Sequence, residues 1–167
     1  MKHRNMVRGA LLIALALALQ SLRLLIPLPL PVSTFLIGSL VHMMLVLTLK
    51  LNGKMTAVLL SIFLPLTAYA QGQLALPLLI PVVWLGNILF VLTNFIFAGK
   101  KFLELLVPPL CKGVVMLAAA WLVLWFLEIH NPVLRSTIIF AMSVPQVLTG
   151  IIGTLLAWQL KNRLQNL

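Results

Sequence analysis

The feature that most limits how this chain can fold is a series of apolar stretches, each roughly 20 residues long, with only short breaks between them. Of the 167 residues, 62% are hydrophobic and 8% are charged, and the mean hydropathy is +1.16. No soluble globular class has this composition. A helix that crosses a membrane needs roughly 20 mostly apolar residues, and these stretches supply them. The sequence therefore predicts an all-α integral membrane protein with a single domain over residues 1–167.

Six transmembrane helices in one bundle are predicted from the apolar stretches and from the turn residues between them. The breaks read "PLPLP", "NGK", "QGQ", "AGKK" and "HNPVLRS", which contain the residues that end helices and form turns. The predicted helices cover residues 8–26, 33–50, 55–71, 75–98, 102–127 and 137–160. We also expect prolines to interrupt these helices, as irregular backbone at membrane depth is tolerated mainly beside a cavity. These prolines are Pro65, Pro77, Pro81, Pro108, Pro109 and Pro145.

The beginning of the chain has some features of a secretory signal peptide. A basic start is followed by an apolar run that ends near Leu19. The next residues, "QSLRLLIPLP", contain no small-x-small cleavage site. We therefore predict that this segment is an uncleaved first span.

Basic residues are distributed unevenly among the predicted loops, and this bias predicts the orientation. Cytoplasmic loops of membrane proteins carry an excess of Lys and Arg. Alternate breaks and both ends of the chain hold nine basic residues, whereas the opposite side holds two. The sequence thus predicts an even number of spans with both termini cytoplasmic, and the net charge of +10 mostly reflects this bias rather than nucleic-acid binding. The nine are Lys2, Arg4, Arg8, Lys50, Lys54, Lys100, Lys101, Lys161 and Arg163, and the two are Arg23 and Arg135.

Several kinds of chemistry lack their residues in this sequence. There is no phosphate-binding GxxxxGK[ST] loop, no G-x-S-x-G motif and no Cys/His cluster with metal spacing. The chain has no aspartate and only two glutamates, Glu104 and Glu128, and its single cysteine, Cys111, cannot form an internal disulfide. We expect neither catalysis nor a resident cofactor, and any uphill transport would take its energy from a partner protein.

Polar side chains recur near the middle of several predicted helices. His42, Asn87, Lys112 and Gln146 lie at similar depth in four of them, and Gln20 and Arg23 lie in the outer part of the first. Polar groups in hydrocarbon are costly unless they face each other, water or a ligand. We therefore expect them to converge on one internal cavity. The predicted substrate-binding residues are Arg23, His42, Asn87, Lys112 and Gln146.

Each of these residues also has a purely structural interpretation. Asn87 and Gln146 could form only interhelical hydrogen bonds, worth about 0.6 kcal/mol each, and His42 could be a packing residue. Lys112 would extend to the cytoplasmic surface if "FLELLVPPLC" lay along the interface. Only residues 113–128 would then cross, and they would span roughly 24 Å of a core about 30 Å thick. This shortfall favours an interior Lys112.

An interior lysine needs a partner for its charge, and the sequence offers no acidic residue at the same depth. Glu104 lies about two helical turns nearer the predicted cytoplasmic end. The sequence therefore predicts that an anionic ligand, a small carboxylate or phosphate compound, supplies the partner. Arg23 could be a second anchor near the outer mouth.

A stripe of alanines marks one face of the first predicted helix. Ala10, Ala14 and Ala18 recur every four residues, and small residues at this spacing let another helix approach closely. The other helix could belong to a partner or to the same chain. The last predicted helix carries a similar feature in Gly150 and Gly153.

These features together resemble the substrate-binding S components of energy-coupling factor (ECF) transporters. The alanine stripe carries the resemblance, with the proline-rich loop after it, "IGSL…LKLNGKMTAVLLSIFLPLTAYAQGQL" over residues 37–74, and "LPLLIPVVWLGN" over residues 76–87. The resemblance implies a prokaryotic plasma-membrane protein that binds a vitamin or related micronutrient from outside with high affinity. No His/Asp start of the metal-ion branch is present.

The resemblance also implies partners for the chain. The alanine motif of S components contacts a transmembrane coupling subunit, which joins two ATPase subunits, and the S component is thought to topple in the membrane to release its cargo. Carried over, Ala10, Ala14 and Ala18 form the partner interface, and residues 27–33 and 71–75 are candidate lids. The separate ATPases would explain the missing phosphate loop.

Two other classes have a similar hydropathy profile. One is the structural membrane subunit of a rod-shape or cell-wall assembly complex, and the other is a small lipid-handling or channel-like oligomer. A scaffold does not need His42, Asn87, Lys112 and Gln146 at one depth, and the chain lacks the repeat symmetry of a channel-like oligomer. The polar interior therefore favours a binding protein.

Overall fold

A computed structural model describes residues 2–26 and 29–165, which form an all-α helical bundle. The last two helices, over residues 132–141 and 144–165, are parts of one interrupted segment, so the described residues contain six helical units. Five of these units are long and apolar enough to cross a membrane, which indicates a multi-pass membrane protein. The helices are α1 (Lys2–Leu25), α2 (Leu30–Asn52), α3 (Lys54–Ala70), α4 (Leu79–Ile96), α5 (Lys101–Phe126), α6 (Pro132–Ala141) and α7 (Val144–Gln165).

The helix α3 corresponds to the third predicted span and is the shortest of the six units. Its 17 residues rise roughly 25 Å, less than a hydrocarbon core of about 30 Å. A sixth crossing therefore stays a prediction, whereas five candidate spans follow from length and composition.

Three predicted helix starts and one predicted end are wrong by four residues or more. The first helix was expected from residue 8 but begins at Lys2, and the last was expected to end at residue 160 but continues to Gln165. The fourth helix was expected over 75–98, but turns occupy residues 71–78 and α4 begins at Leu79. The last helix was expected over 137–160, with an interruption at Pro145, after a loop at 130–136. The chain is instead helical from Pro132 and breaks at Met142–Ser143. Asn131 explains the early start, because its side-chain oxygen accepts hydrogen bonds from the backbone nitrogens of Val133 and Leu134.

Three prolines that were expected to interrupt helices lie inside continuous ones. Pro65 is within α3, and Pro108 and Pro109 are within α5. Membrane helices tolerate proline because neighbouring groups satisfy the carbonyls that it leaves free. The expectation that proline breaks the helix is thus wrong at these three positions. The predicted turn at Gly53 is confirmed, because this glycine has φ +91° and separates α2 from α3.

The bundle has two buried apolar clusters. The larger joins α1, α2, α3, α4 and α7 around residues such as Leu45, Leu60 and Phe90, and the smaller joins α4, α5 and α6 around Val82 and Met116. Large apolar side chains also cover the outside of the bundle. An apolar exterior suits a chain whose surroundings are lipid tails. Exposed examples are Leu11, Leu15, Leu122, Trp125 and Phe126.

Side-chain contacts show which segments share an end of the bundle. Lys50, at the end of α2, forms an ion pair with Glu104 near the start of α5, and Trp158 of α7 donates to the same carboxylate. Lys54 lies 5.3 Å from the ring centroid of Phe95, near the end of α4. Gly9 of α1 packs against Asn52 and Thr56, so the segments that hold the nine basic residues gather at one end, which we call the basic end. That this end is cytoplasmic stays a prediction.

Candidate binding site around Lys112

Lys112 lies in the interior of the bundle, near the middle of the 26-residue α5, and is 2% exposed. Gly86 of α4 makes room for it. A Cβ at Gly86 would overlap the Met116 side chain and lie 3.4 Å from Lys112 Cγ. The missing side chain lets α4 approach α5, so that the next residue, Asn87, can reach the lysine.

The amino group of Lys112 joins three helices through uncharged partners. Its Nζ lies 2.6 Å from Asn87 Oδ1 on α4 and 2.7 Å from His42 Nε2 on α2. The ring centroid of Phe90 is 5.8 Å away, within the range of a cation–π contact. We call Lys112, His42 and Asn87 the lysine cluster.

Hydrogen bonding fixes the tautomer of His42. The nitrogen Nδ1 lies 2.7 Å from the carbonyl oxygen of Gly38, which can only accept, so Nδ1 carries a proton. A neutral imidazole then presents a lone pair on Nε2, and Lys112 donates to it. The ring also meets Phe90 edge to face, at 4.9 Å between centroids.

Gly153 of α7 holds α2 in position behind the lysine cluster. A Cβ at Gly153 would lie 2.5 Å from His42 Cβ and 2.7 Å from both the Met43 nitrogen and the Ser39 oxygen. Two of these atoms are backbone and cannot move aside easily. The glycine therefore allows α2 and α7 to pack closely just where His42 leaves α2.

All five predicted substrate-binding residues line one cavity of about 120 Å³. Six of the seven helices contribute to it, since Leu64 adds α3 to α1, α2, α4, α5 and α7. The structure therefore brings the predicted residues together and places none of them elsewhere. They are Arg23, His42, Asn87, Lys112 and Gln146.

Arg23 and Gln146 lie toward the end of the bundle opposite the basic end. Arg23 Nη2 is 3.5 Å from the carbonyl oxygen of Ser33, and its Nε is buried with no partner among the described residues. Gln146 Nε2 donates to the carbonyl oxygen of Ala141 at 2.9 Å, across the break between α6 and α7. The amide of Gln146 therefore connects the two helices at this break and also lines the cavity.

Two cavity residues, Gln20 and Gln73, were not among the predicted ones. Gln20 is 4% exposed and donates to the carbonyl oxygen of Leu64 at 3.0 Å. The depth argument that selected Arg23 applies equally to Gln20, three residues earlier on α1. Gln73 lies in the 71–75 segment that was predicted as a lid. Of the other predicted lid, residues 27 and 28 lie outside the described residues, and residues 30–33 belong to α2.

Neither of the two glutamates neutralises Lys112. Glu104 is engaged by Lys50 and accepts from Trp158 Nε1 at 3.1 Å, and Glu128 is exposed beyond the end of α5. Within residues 2–26 and 29–165, Lys112 thus has no carboxylate partner, and no group of three His, Cys, Asp or Glu could hold a metal. The cavity can accommodate a group that accepts hydrogen bonds and carries negative charge.

The predicted alanine stripe lies on the outside of the bundle. Ala10, Ala14 and Ala18 are all exposed, whereas Ala16 on the opposite face is fully buried. The glycines of the last helix differ, because Gly150 packs against Pro109 of α5 and Gly153 against α2. The glycine pair therefore serves packing within the chain, and the alanine stripe remains available on the surface.

Comparison of the chain with protein-family models, with curated proteins and with solved structures gives no match.

Proposed function

We propose that this protein is the membrane-embedded, high-affinity substrate-binding subunit of an ECF-type ABC importer for a small anionic vitamin or related micronutrient. In this proposal the chain binds its cargo without transforming it. Separate ATPase subunits, joined through a transmembrane coupling subunit, supply the energy.

The observation that carries this proposal is the buried Lys112 with only neutral partners, in a cavity built by six helices. Moving a charge out of water costs several kcal/mol even after relaxation, so a protein that keeps one without a counterion needs a reason. A ligand that brings the negative charge supplies that reason. A structural scaffold gains nothing from such a cavity.

The exposed alanine stripe supports the proposed partner. Membrane helices associate through small residues, since burial of apolar surface gives no net gain when the surroundings are lipid. Ala10, Ala14 and Ala18 form such a surface, and no described helix covers it. We propose that a helix of the coupling subunit packs there.

The arrangement of charges supports uptake from outside. In the proposed orientation the basic end faces the cytoplasm. Arg23, Gln73 and Gln146 then lie on the external side of the cavity, and Lys112 lies deeper. An anion arriving from outside would meet Arg23 before it reaches the lysine.

The proposal is tested by gentle purification of the tagged protein from its own host, followed by native mass spectrometry. We expect a complex that contains one coupling subunit and two ATPases, and a small acid bound to the free chain. Recovery with cell-wall or cytoskeletal proteins and no small molecule would instead favour the structural subunit of a rod-shape or cell-wall complex.

A further inference from the structure

We infer that the ligand of this cavity is a carboxylic acid that binds with its carboxylate toward Lys112 and Asn87 and carries an N–H or O–H donor at its other end. The inference rests on the proposed function and specifies the substrate of the same site. It follows from which hydrogen-bonding groups of the cavity wall are already used and which remain free.

Most of the hydrogen-bonding capacity left in the lysine cluster belongs to donors, and the one further acceptor position is the second lone pair of Asn87 Oδ1. His42 uses both ring nitrogens, one toward Gly38 and one toward Lys112. Asn87 turns its oxygen to Lys112, because a protonated amine can only donate. The amide nitrogen of Asn87 therefore points elsewhere and has no acceptor among the described residues. Two of the three N–H groups of Lys112 are used, which leaves one.

The free nitrogen of Asn87 is accessible rather than sealed in protein. The sealed polar atoms that lack a partner in the described part of the chain are Arg23 Nε, Ser33 Oγ, Thr48 Oγ1 and Asn94 Oδ1, and Asn87 Nδ2 is not one of them. Since Asn87 is 2% exposed and lines the cavity, its remaining surface faces that cavity. The deep part of the site thus offers one cationic N–H and one amide NH₂.

The opposite part of the cavity offers amide oxygens beside the guanidinium of Arg23. Gln20 and Gln146 each give their nitrogen to a backbone carbonyl, of Leu64 and Ala141, so each keeps a free Oε1. A carbonyl can only accept, and this fixes which way each amide is turned.

Gln73 also keeps a free side-chain oxygen, because a chain of hydrogen bonds fixes the orientation of its amide. Its nitrogen donates to Gln71 Oε1 at 2.6 Å, Gln71 donates to Ser21 Oγ at 2.7 Å, and Ser21 donates to the carbonyl oxygen of Leu17 at 2.8 Å. The final acceptor sets the direction of every step. The free end of this series of hydrogen bonds is Gln73 Oε1, a third acceptor on the cavity wall.

The two ends of the cavity therefore select different groups. At the deep end, one lysine charge and a single amide NH₂ suit a carboxylate, which has one charge and two oxygens, better than a phosphate, which has up to two charges and three oxygens. The second cation of the cavity, Arg23, lies at the outer end, away from the lysine cluster. The three glutamine oxygens suit a donor. The volume of about 120 Å³ is below the roughly 300 Å³ at which drug-sized pockets begin, so the ligand is small.

Thermal unfolding of the purified protein in detergent tests this inference with defined probes at equal ionic strength. The first set is butyrate, butyramide, butylammonium and inorganic phosphate. We expect butyrate to raise the melting temperature at concentrations at least tenfold lower than the other three. The second set is the ω-hydroxy acids of three to six carbons. At least one should bind at least tenfold more tightly than the unsubstituted acid of the same length.

Four variants assign these effects to the two ends of the cavity. Lys112→Met and Asn87→Asp should each weaken butyrate binding at least tenfold, whereas the control Lys100→Met, on an exposed lysine, should not. Asn87→Asp keeps the shape of the side chain, so it remains informative if Lys112→Met folds poorly. Gln73→Met should reduce the advantage of the hydroxy acid over the unsubstituted acid of the same length.

Three results would overturn the inference: no stabilisation of the wild type by any acid, equal stabilisation by butyramide, butylammonium or phosphate, or butyrate binding that survives in both deep variants. Failure of the proposed function is a separate outcome. If the coupling subunit and ATPases co-purify but the acids do not bind, the inference alone is wrong. If the acids bind but those subunits never co-purify, the transporter assignment is wrong and the ligand chemistry stands.

Discussion

Two lysines, one partly exposed and one buried, connect the same pair of helices, and their environments differ. Lys50 of α2 pairs with Glu104 of α5, and two helical turns away Lys112 of α5 contacts His42 of α2. The spacing is eight residues on both helices, roughly 12 Å along the bundle. Lys50 keeps 16% of its side chain exposed and has a carboxylate, whereas Lys112 is almost fully buried and has none.

The difference separates a structural charge from one that we assign to ligand binding. The Lys50–Glu104 pair is neutral overall, and Trp158 adds a third helix to it. Lys112 has only the neutral side chains His42 and Asn87 as partners, which hold its amino group in place without cancelling its charge. A ligand that supplies a negative charge there gains attraction in a poorly screened interior. We call the Lys50–Glu104 and Lys112–His42 contacts the two bridges. The first four changes below act on one or both bridges, and the fifth acts on neither.

Lys112→Met removes the charge and keeps most of the volume. We expect ligand affinity to fall about 100- to 1000-fold, or about 3–4 kcal/mol, because the ligand carboxylate loses a buried, hydrogen-bonded partner. Methionine leaves His42 Nε2 and Asn87 Oδ1 without their donor, so we also expect the free energy of unfolding to fall by about 1–3 kcal/mol, which a folded variant can tolerate. Binding is measured by titration of the co-purified ligand, and unchanged affinity would contradict the account.

Glu104→Gln breaks the other bridge. It leaves Lys50 and Trp158 without their carboxylate, and we expect the free energy of unfolding to fall by about 2–3 kcal/mol, less than for a fully buried pair because Lys50 can reach water. The melting temperature reports the loss. Affinity per folded molecule should match the wild type, and a marked drop in affinity would show that the two bridges are not independent.

Gly153→Ala acts on α7, which backs both bridges. The new Cβ would meet His42 Cβ and backbone atoms of α2, so α2 and α7 must separate at the level of the lysine cluster. We expect a loss of stability of about 2 kcal/mol together with weaker ligand binding. Gly9→Ala is the control, because there the new Cβ meets the ends of the Asn52 and Thr56 side chains, away from the lysine cluster. Equal effects of the two variants on binding would argue against a specific role for Gly153.

Asn87→Asp gives Lys112 a carboxylate partner, as Lys50 has in Glu104. A carboxylate beside Lys112 should stabilise the ligand-free protein by about 1 kcal/mol, since it supplies the missing counterion at the cost of its own desolvation. The same change should exclude the ligand's carboxylate. Thermal unfolding without ligand checks the first effect, and a melting temperature well below that of the wild type would count against it.

Ala14→Leu should have the smallest effect on the isolated chain. Its site is exposed, so stability and ligand affinity should change by less than about 0.5 kcal/mol, while co-purification of the coupling subunit should be lost. Ala16→Leu, on the buried face of the same helix, is the contrast, and it should destabilise the chain by about 1–3 kcal/mol. Undiminished co-purification with Ala14→Leu would place the partner elsewhere.

Much of the fold could be predicted from short sequence signals, and the predictions that were wrong concern the ends and the interruptions of individual helices. Gly53 and the "AGKK" turn separate helices as expected, because they sit between long apolar stretches. The interruption of the last helix was expected at Pro145 and lies just before it, at Met142–Ser143, because proline fits the first turn of a new helix. The start of α6 depended on Asn131 acting as a cap, which is visible in the sequence but also occurs in loops.

The residues of the candidate site could be predicted from the sequence, but their hydrogen bonds and ion pairs could not. Depth alone selected His42, Asn87, Lys112 and Gln146, because polar residues inside apolar helices face inward. The sequence could not show that Glu104 is taken by Lys50, 54 residues away, because that pairing depends on helix rotation and packing. For the same reason it could not show which amide atoms remain free.

The most direct test of the account is to compare ligand occupancy in wild type and Lys112→Met, purified in parallel from the same host and measured by native mass spectrometry. The account predicts a small acid on the wild type and an empty but folded Lys112→Met. A variant that carries the same ligand at the same occupancy, or a wild-type ligand without an acidic group, would contradict it.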